Sequence, residues 1–249
     1  RVGLEAGAPA HHWGRENAKL SHDVRLIAAQ RVKAFSPRMK NDAADAKAIA
    51  RALREPEMRF VPVKSVASQS VLMLFKARDL LTSQRTQLIN ALRGHFGEIG
   101  IVVPKGAHEA KALVKLVLRD DHELSLPSTM GRALRPLAES LMAAEEQIKV
   151  LNAAIHKEHK SSETSQRLAT VPGIGTLTAA VLTATVSDPG AFAGGREFAA
   201  WIGLVPRQHS TGGKASLGRI SKMGNRDLRR LLFVGATAAL ARIKNVKTK

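Results

Sequence analysis

The residues of this chain whose types could do chemistry gather in two places. Between Val205 and Arg230, the stretch VPRQHSTGGKASLGRISKMGNRDLRR joins a hydroxyl pair, Ser210 and Thr211, to Gly212 and Gly213 and, after these glycines, to six cations, Lys214, Arg219, Lys222, Arg226, Arg229 and Arg230. Glycines let a backbone approach a ligand closely, and the cations suit phosphate oxygens. A serine held there is a candidate nucleophile toward a phosphodiester. The plainer reading is a basic surface loop whose serine hydrogen-bonds its own turn. The second place lies near the start, where Glu5 precedes Asp42 and Asp45. Three hard oxygen ligands brought together would suit Mg2+, and such ions can organise phosphodiester chemistry. Asp42 and Asp45 also have a purely local role open to them, because first-turn aspartates favour the helix dipole and Asn41 can cap the helix. His11 and His12 read as helix-surface residues before ligands.

The elements needed to position these groups follow from periodicity. VGLEA reads as a strand ending near Glu5, Ala8 to Leu20 as a helix, SHDVRLIA as a second strand, and Asp42 to Leu53 as a helix with an apolar inner face. Strand–helix–strand–helix at this spacing predicts an α/β unit with a parallel strand pair. A carboxylate at the C-terminal end of a strand stands where open α/β sheets place their sites. About 60 residues cannot cover both faces of a parallel sheet, so more of this domain is expected ahead of Arg1. Pro56 and Pro62 mark its end, giving an α/β region over residues 1–62.

Residues 63–165 read as helical. A long helix is expected from Val66 to about Phe96, a break at GEIGIVVPKGAH, and a shorter helix from Glu109 to Arg119. Leu134, Leu137, Leu141, Ala144, Ile148, Leu151 and Ile155 then recur in steps of three and four. Such a seam marks a coiled coil or a helical hairpin, within the chain or with a second copy. In residues 166–249, VPGIG sits between two helical stretches as in a helix-hairpin-helix, where Gly173 and Gly175 could bring backbone amides to a phosphate. A tight interhelical turn without a ligand is the alternative. Phe192, Phe198, Trp201, Ile202 and Leu204 read as core. Asn225 can cap a last helix running to about Ile243.

Composition narrows the partners. The 249 residues are 44% hydrophobic, enough to build cores, and contain no cysteine, which excludes disulfides, thiolate catalysis and cysteine-bound zinc. Net charge is +18, and residues 206–249 carry 11 Lys and Arg against one acid, Asp227. That clustering is the footprint of a polyanion such as nucleic acid. No window resembles a membrane span and the start lacks the form of a signal peptide, so a cytoplasmic protein is expected, with no membrane partner.

Together these stretches resemble the IS-one-ten family of insertion-sequence transposases, which includes the Piv-type DNA invertases. The resemblance rests on GLEAGAPAHHWGREN, KNDAADAKAIARAL, VPGIG, FAAWIGLVPRQHSTGGK and LGRISKMGNRDLRRLL, in that order over nearly the whole chain. It implies a partial RuvC/RNase H-like α/β domain (residues 1–62), a helical coiled-coil middle for spacing and assembly (63–165), and a mostly α-helical serine transposase domain with a helix-hairpin-helix (166–249). Glu5 matches the family's glutamate, Asp42 and Asp45 its last two aspartates, and Ser210 its serine, with Thr211 in the position some relatives give that serine. The implied reaction is DNA strand exchange through a 5′-phosphoserine link, with Mg2+ on the carboxylates, a structured bridge RNA as guide, and a dimer or tetramer as the working unit. The family's first aspartate has no counterpart among these residues. The metal set is therefore expected to be one ligand short and this chain alone inactive or impaired. A nucleic-acid-binding remnant and a RuvC-like metal nuclease are the competing expectations.

Overall fold

The computed structural model describes residues 1–36, 41–104, 106, 110–118 and 127–246. The chain forms two compact units, one of Arg1–Ser70 with Ala184–Ala191, the other of Val71–Thr183 with Phe192–Lys249. Mixed α/β structure is confined to short strands in an otherwise helical chain.

The first unit is the expected α/β arrangement. Strand β1 (Val2–Glu5) leads into helix α1 (Ala10–Lys19), then β2 (Val24–Ile27), a short helix α2 (Ala29–Val32), a 3-10 turn (Lys33–Phe35) and α3 (Asp42–Arg54). The strands pair in parallel, with Glu5 opposite Ile27. Ile27, Val32, Ala48 and Ala52 form the core. Small residues carry the close contacts. A Cβ on Gly3 would lie 3.0 Å from Leu53 and 3.3 Å from Ile49, so α3 lies directly on β1.

In the second unit the backbone is a pair of long helices, α4 (Val66–Gly97), which enters this unit at Val71, and α6 (Ser128–Ser161), with α5 (Ala110–Leu118) between them in sequence. The expected ends of α5 at Glu109 and Arg119, and Lys105, Ala107 and His108 of the predicted break, lie outside the described residues. Ser65 starts α4, its hydroxyl accepting the Ser68 N–H at 3.0 Å. The seam of α6 is used within the chain: Leu134, Ala138 and Leu141 pack on Ile89, Leu92 and Phe96 of α4 and on Val117 of α5. Arg78 donates to Asn152 at 2.7 Å, so the two long helices run antiparallel. Ala144, Ile148 and Ile155 are also buried, while Leu137 and Leu151 are half-buried.

A second core gathers Phe75, Val181, Leu182, Ile202 and Leu228. Its walls are α7 (Glu163–Ala169), α8 (Thr176–Thr185), α9 (Gly195–Trp201) and α10 (Arg226–Val246). Ile202 is deep core as expected, whereas Trp201 is 39% exposed and only edges the cluster with Phe192 and Phe198. The basic stretch expected as a loop contains an antiparallel hairpin, β3 (Pro206–Gln208) and β4 (Leu217–Ile220). Among the described residues no helix is long and apolar enough to cross a membrane.

Candidate functional site

Ser210 lies just past β3, in the arm of the hairpin. Strand pairing continues beyond β3, with the His209 N–H on the Ser216 carbonyl at 2.8 Å and an isolated bridge between Thr211 and Lys214. Gly212 and Gly213 occupy the two central turn positions at φ 55° and 76°. Both positive angles are what a two-residue turn matching the twist of its strands demands, and L side chains avoid them. Space around both glycines is open, so the turn geometry alone accounts for them.

This scaffold fixes the serine oxygen. The Gln208 side-chain amide donates to Ser210 Oγ at 3.0 Å and the Ser216 N–H donates at 3.2 Å. Two donors on one hydroxyl oxygen occupy both its lone pairs. They also favour the ionised oxygen, whose third lone pair appears when the proton leaves. Thr211 serves the turn through its carbonyl, which accepts the Lys214 N–H at 3.0 Å.

The six cations that follow the glycines divide into two groups. Lys214, Arg219, Lys222 and Arg226 are exposed. Arg229 instead turns inward, one guanidinium nitrogen donating to the carbonyls of Ile202 at 2.7 Å and Met223 at 3.1 Å. Arg230 reaches Asp79 of α4 at 2.6 Å, beside the Lys76–Asp227 pair, also 2.6 Å. Asn225 caps α10 as expected, its oxygen accepting from Asp227 at 3.0 Å and Leu228 at 3.1 Å.

The turn of VPGIG joins α7 to α8. Gly173 has φ 88° and is packed against α10: a Cβ there would meet the Gly235 carbonyl oxygen at 2.8 Å. Gly175 is exposed at the start of α8, with open space about it.

The three carboxylates are reached through α3 and β1. Asn41 caps α3 by accepting the Ala44 N–H at 2.8 Å, which places Asp42 and Asp45 in the first turn. Asp45 is one turn before Ile49, the residue that covers Gly3, and Glu5 lies two residues beyond that glycine. They do not close into a metal site. Among the described residues no group of three His, Asp or Glu side chains could hold a metal ion. Two side chains from a helix start and one from a strand end are not brought together as a three-ligand cage in this structure.

Residues 165–249 match the Transposase IS116/IS110/IS902 family. Residues 16–101 match a second family, the DEDD transposases of IS110 type. A putative transposase y4pF/y4sB of Sinorhizobium fredii is 42% identical over 248 residues, 100% of this chain and 63% of the relative. A probable family 20 transposase of Pseudomonas aeruginosa is 43% identical over 240 residues, covering 96% of this chain and 71% of the relative. A transposase for insertion sequence element IS1111A of Coxiella burnetii is 40% identical over 248 residues, 100% and 68% of the two chains. The chain therefore spans about two thirds of the length of these relatives.

Proposed function

The chain belongs to the IS116/IS110/IS902 family of transposases, and on that footing we propose that it takes part in DNA strand exchange for a mobile element, with Ser210 as nucleophile. The observation that carries the residue choice is the pair of donors on Ser210 Oγ, from Gln208 and the Ser216 N–H. In the step proposed, Oγ loses its proton to solvent and attacks a backbone phosphorus. The bond to the leaving 3′-oxygen breaks, that oxygen takes up a proton, and a 5′-phosphoserine remains. A 3′-hydroxyl of another strand then loses its proton and attacks the same phosphorus; the P–Oγ bond breaks and Oγ takes up a proton, which restores the serine.

Lys214, Arg219, Lys222 and Arg226 are the cations we assign to DNA phosphates, and Gly175 is the open backbone position of the α7–α8 turn. We assign residues 1–62 to a RuvC-like carboxylate region, 63–165 to a coiled-coil-like spacing and assembly region, and 166–249 to the serine and a helix-hairpin-helix. A bridge RNA as guide, a dimer or tetramer as working unit, and action in the cytoplasm beside the nucleoid belong to the same reading. Since Glu5, Asp42 and Asp45 form no three-ligand group, the chemistry proposed for this chain stands on Ser210.

The test uses labelled duplexes spanning the element's ends, with sulfur in place of the bridging 3′-oxygen at the cleaved bond. A thiolate leaves without metal assistance, so the nucleophile is probed by itself. We expect a covalent protein–DNA band on a denaturing gel that is lost in Ser210→Ala and kept in Thr211→Ala. A band lost only in Thr211→Ala moves the nucleophile by one residue. Retention of the band in both variants sinks the serine assignment.

A further inference from the structure

The first unit contains a cluster of cations that the proposed reaction leaves unused. After α3 the chain returns along the edge of β2, where Val61 N–H donates to the Leu26 carbonyl at 2.7 Å. It then crosses α1 at Gly14, where the missing side chain leaves room: a Cβ there would lie 3.1 Å from a Val63 methyl. The next residue, Lys64, is clamped on both sides of its main chain. Its N–H donates to His11 Nδ1 at 3.2 Å, and its carbonyl accepts from Arg15 Nη1 at 2.7 Å. His11 and Arg15 stand four apart on α1 and so share a face. Arg15 also donates to the Gln69 side-chain oxygen.

The clamp accounts for the backbone but not for the lysine side chain. Lys64 is only partly exposed, and desolvation holds its pKa below the ordinary lysine value. His11 is pushed below its usual pKa by burial first, then by the charges of Lys64 and Arg15. Among the described residues, the charges acting on His11 are both cationic, and no carboxylate shifts either residue. A lysine merely lying along the surface keeps its ammonium in water. A partly dehydrated ammonium is costly unless an anion joins it. Because His11 Nδ1 accepts the Lys64 N–H, a neutral His11 carries its proton on Nε2 and donates from there. The cluster thus offers an ammonium, the spare N–H groups of a guanidinium and an imidazole N–H. Its side-chain acceptor, Gln69, is already engaged by Arg15.

We propose that Lys64, Arg15 and His11 form a phosphate-contact site for a nucleic-acid backbone on the first unit. The site rests on the reading that this chain acts on nucleic acid, and adds to the basic stretch after Val205 a second contact point on other residues. One backbone phosphate satisfies it: two oxygens accept from the ammonium and guanidinium, and the imidazole N–H takes a third bond. Its source is the DNA substrate or an RNA strand, which offer the same group.

The experiment is fluorescence anisotropy across a salt series, with one labelled DNA duplex and one labelled RNA hairpin. The chain is compared with Lys64→Met and Lys214→Met. Lys64→Met is expected to flatten the slope of log affinity against log salt by about one unit and to weaken binding about eightfold at ~0.1 M salt. Its melting temperature is expected to hold or rise, since methionine keeps the stem and removes a poorly hydrated charge. A change confined to the duplex assigns the phosphate to DNA, and a change confined to the hairpin assigns it to RNA. If Lys214→Met flattens the slope and Lys64→Met leaves it unchanged on both probes, the site is overturned while the DNA-binding reading stands. If neither variant alters the slope, both fall. A lower melting temperature with an unchanged slope makes Lys64 a structural residue and overturns the site as well.

Discussion

Gly173 and Gly235 meet backbone to backbone. A Cβ on Gly235 would lie 1.9 Å from the Gly173 carbonyl oxygen, and one on Gly173 would lie 2.8 Å from the Gly235 carbonyl oxygen. The α7–α8 turn and the middle of α10 can approach this closely only because both residues lack a side chain. The contact locks the last helix onto the turn that precedes α8.

Gly235→Ala should therefore be far more damaging than alanine at an exposed helix position, where it is normally favourable. Neither neighbour can yield, because the contact is with backbone rather than a flexible side chain. A loss of about 2–3 kcal/mol is expected, the upper range for overpacking. Urea unfolding followed by circular dichroism measures it. Stability equal to the parent would mean that the two backbones separate freely in solution.

Arg229 and Arg219 should respond differently to the same substitution. Arg229→Met leaves the Ile202 and Met223 carbonyls without their guanidinium donor, which should cost about 2 kcal/mol. Arg219 is exposed on β4, so Arg219→Met should change stability by no more than about 0.5 kcal/mol. It should instead flatten the salt dependence of DNA binding by about one unit. Thermal melts and anisotropy on both variants separate the roles, and equal behaviour in both assays would refute the division.

That division explains which parts of the molecule were legible beforehand. Helix α3 and the seam of α6 were readable because each buries one face, which writes a period into the sequence. Asn41 and Asn225 were readable as caps because short polar side chains have a distinct use at helix starts. The hairpin was not readable by period, since β3 and β4 are exposed along their whole length. Only Gly212-Gly213 between two short segments signalled it. Arg219 and Arg229 carry the same letter, and which of them faces solvent depends on the close crossing of Ile202 and Met223. Whether Glu5 meets Asp42 and Asp45 likewise depends on how far a helix start stands from a strand end, a distance that spacing in sequence does not encode.

The carboxylates lead to a ligand prediction. Mg2+ demands near-octahedral oxygen coordination and binds through one or two carboxylates only when other ligands complete the shell. With no three-ligand group among the described residues, this chain alone should bind Mg2+ too weakly to give a saturating titration. Isothermal titration at moderate salt tests this. Tighter binding that disappears in Asp42→Asn would show that the three carboxylates converge after all.

The clamp on Lys64 makes the first unit sensitive to mild acid. Burial and two neighbouring cations hold the pKa of His11 below its usual value, so the unfolded chain binds the His11 proton more readily than the folded one. Folding stability at this position is then fully present above the ordinary histidine pKa. It declines as pH falls through about 6.5 toward the lower folded value, and levels off below that. The structural cause is direct, because a proton on Nδ1 removes the acceptor of the Lys64 N–H. His11→Asn keeps an acceptor but cannot titrate. Its urea midpoint should fall less than the parent's between about pH 7 and about pH 5.5. Identical losses in the two proteins would place the acid sensitivity elsewhere.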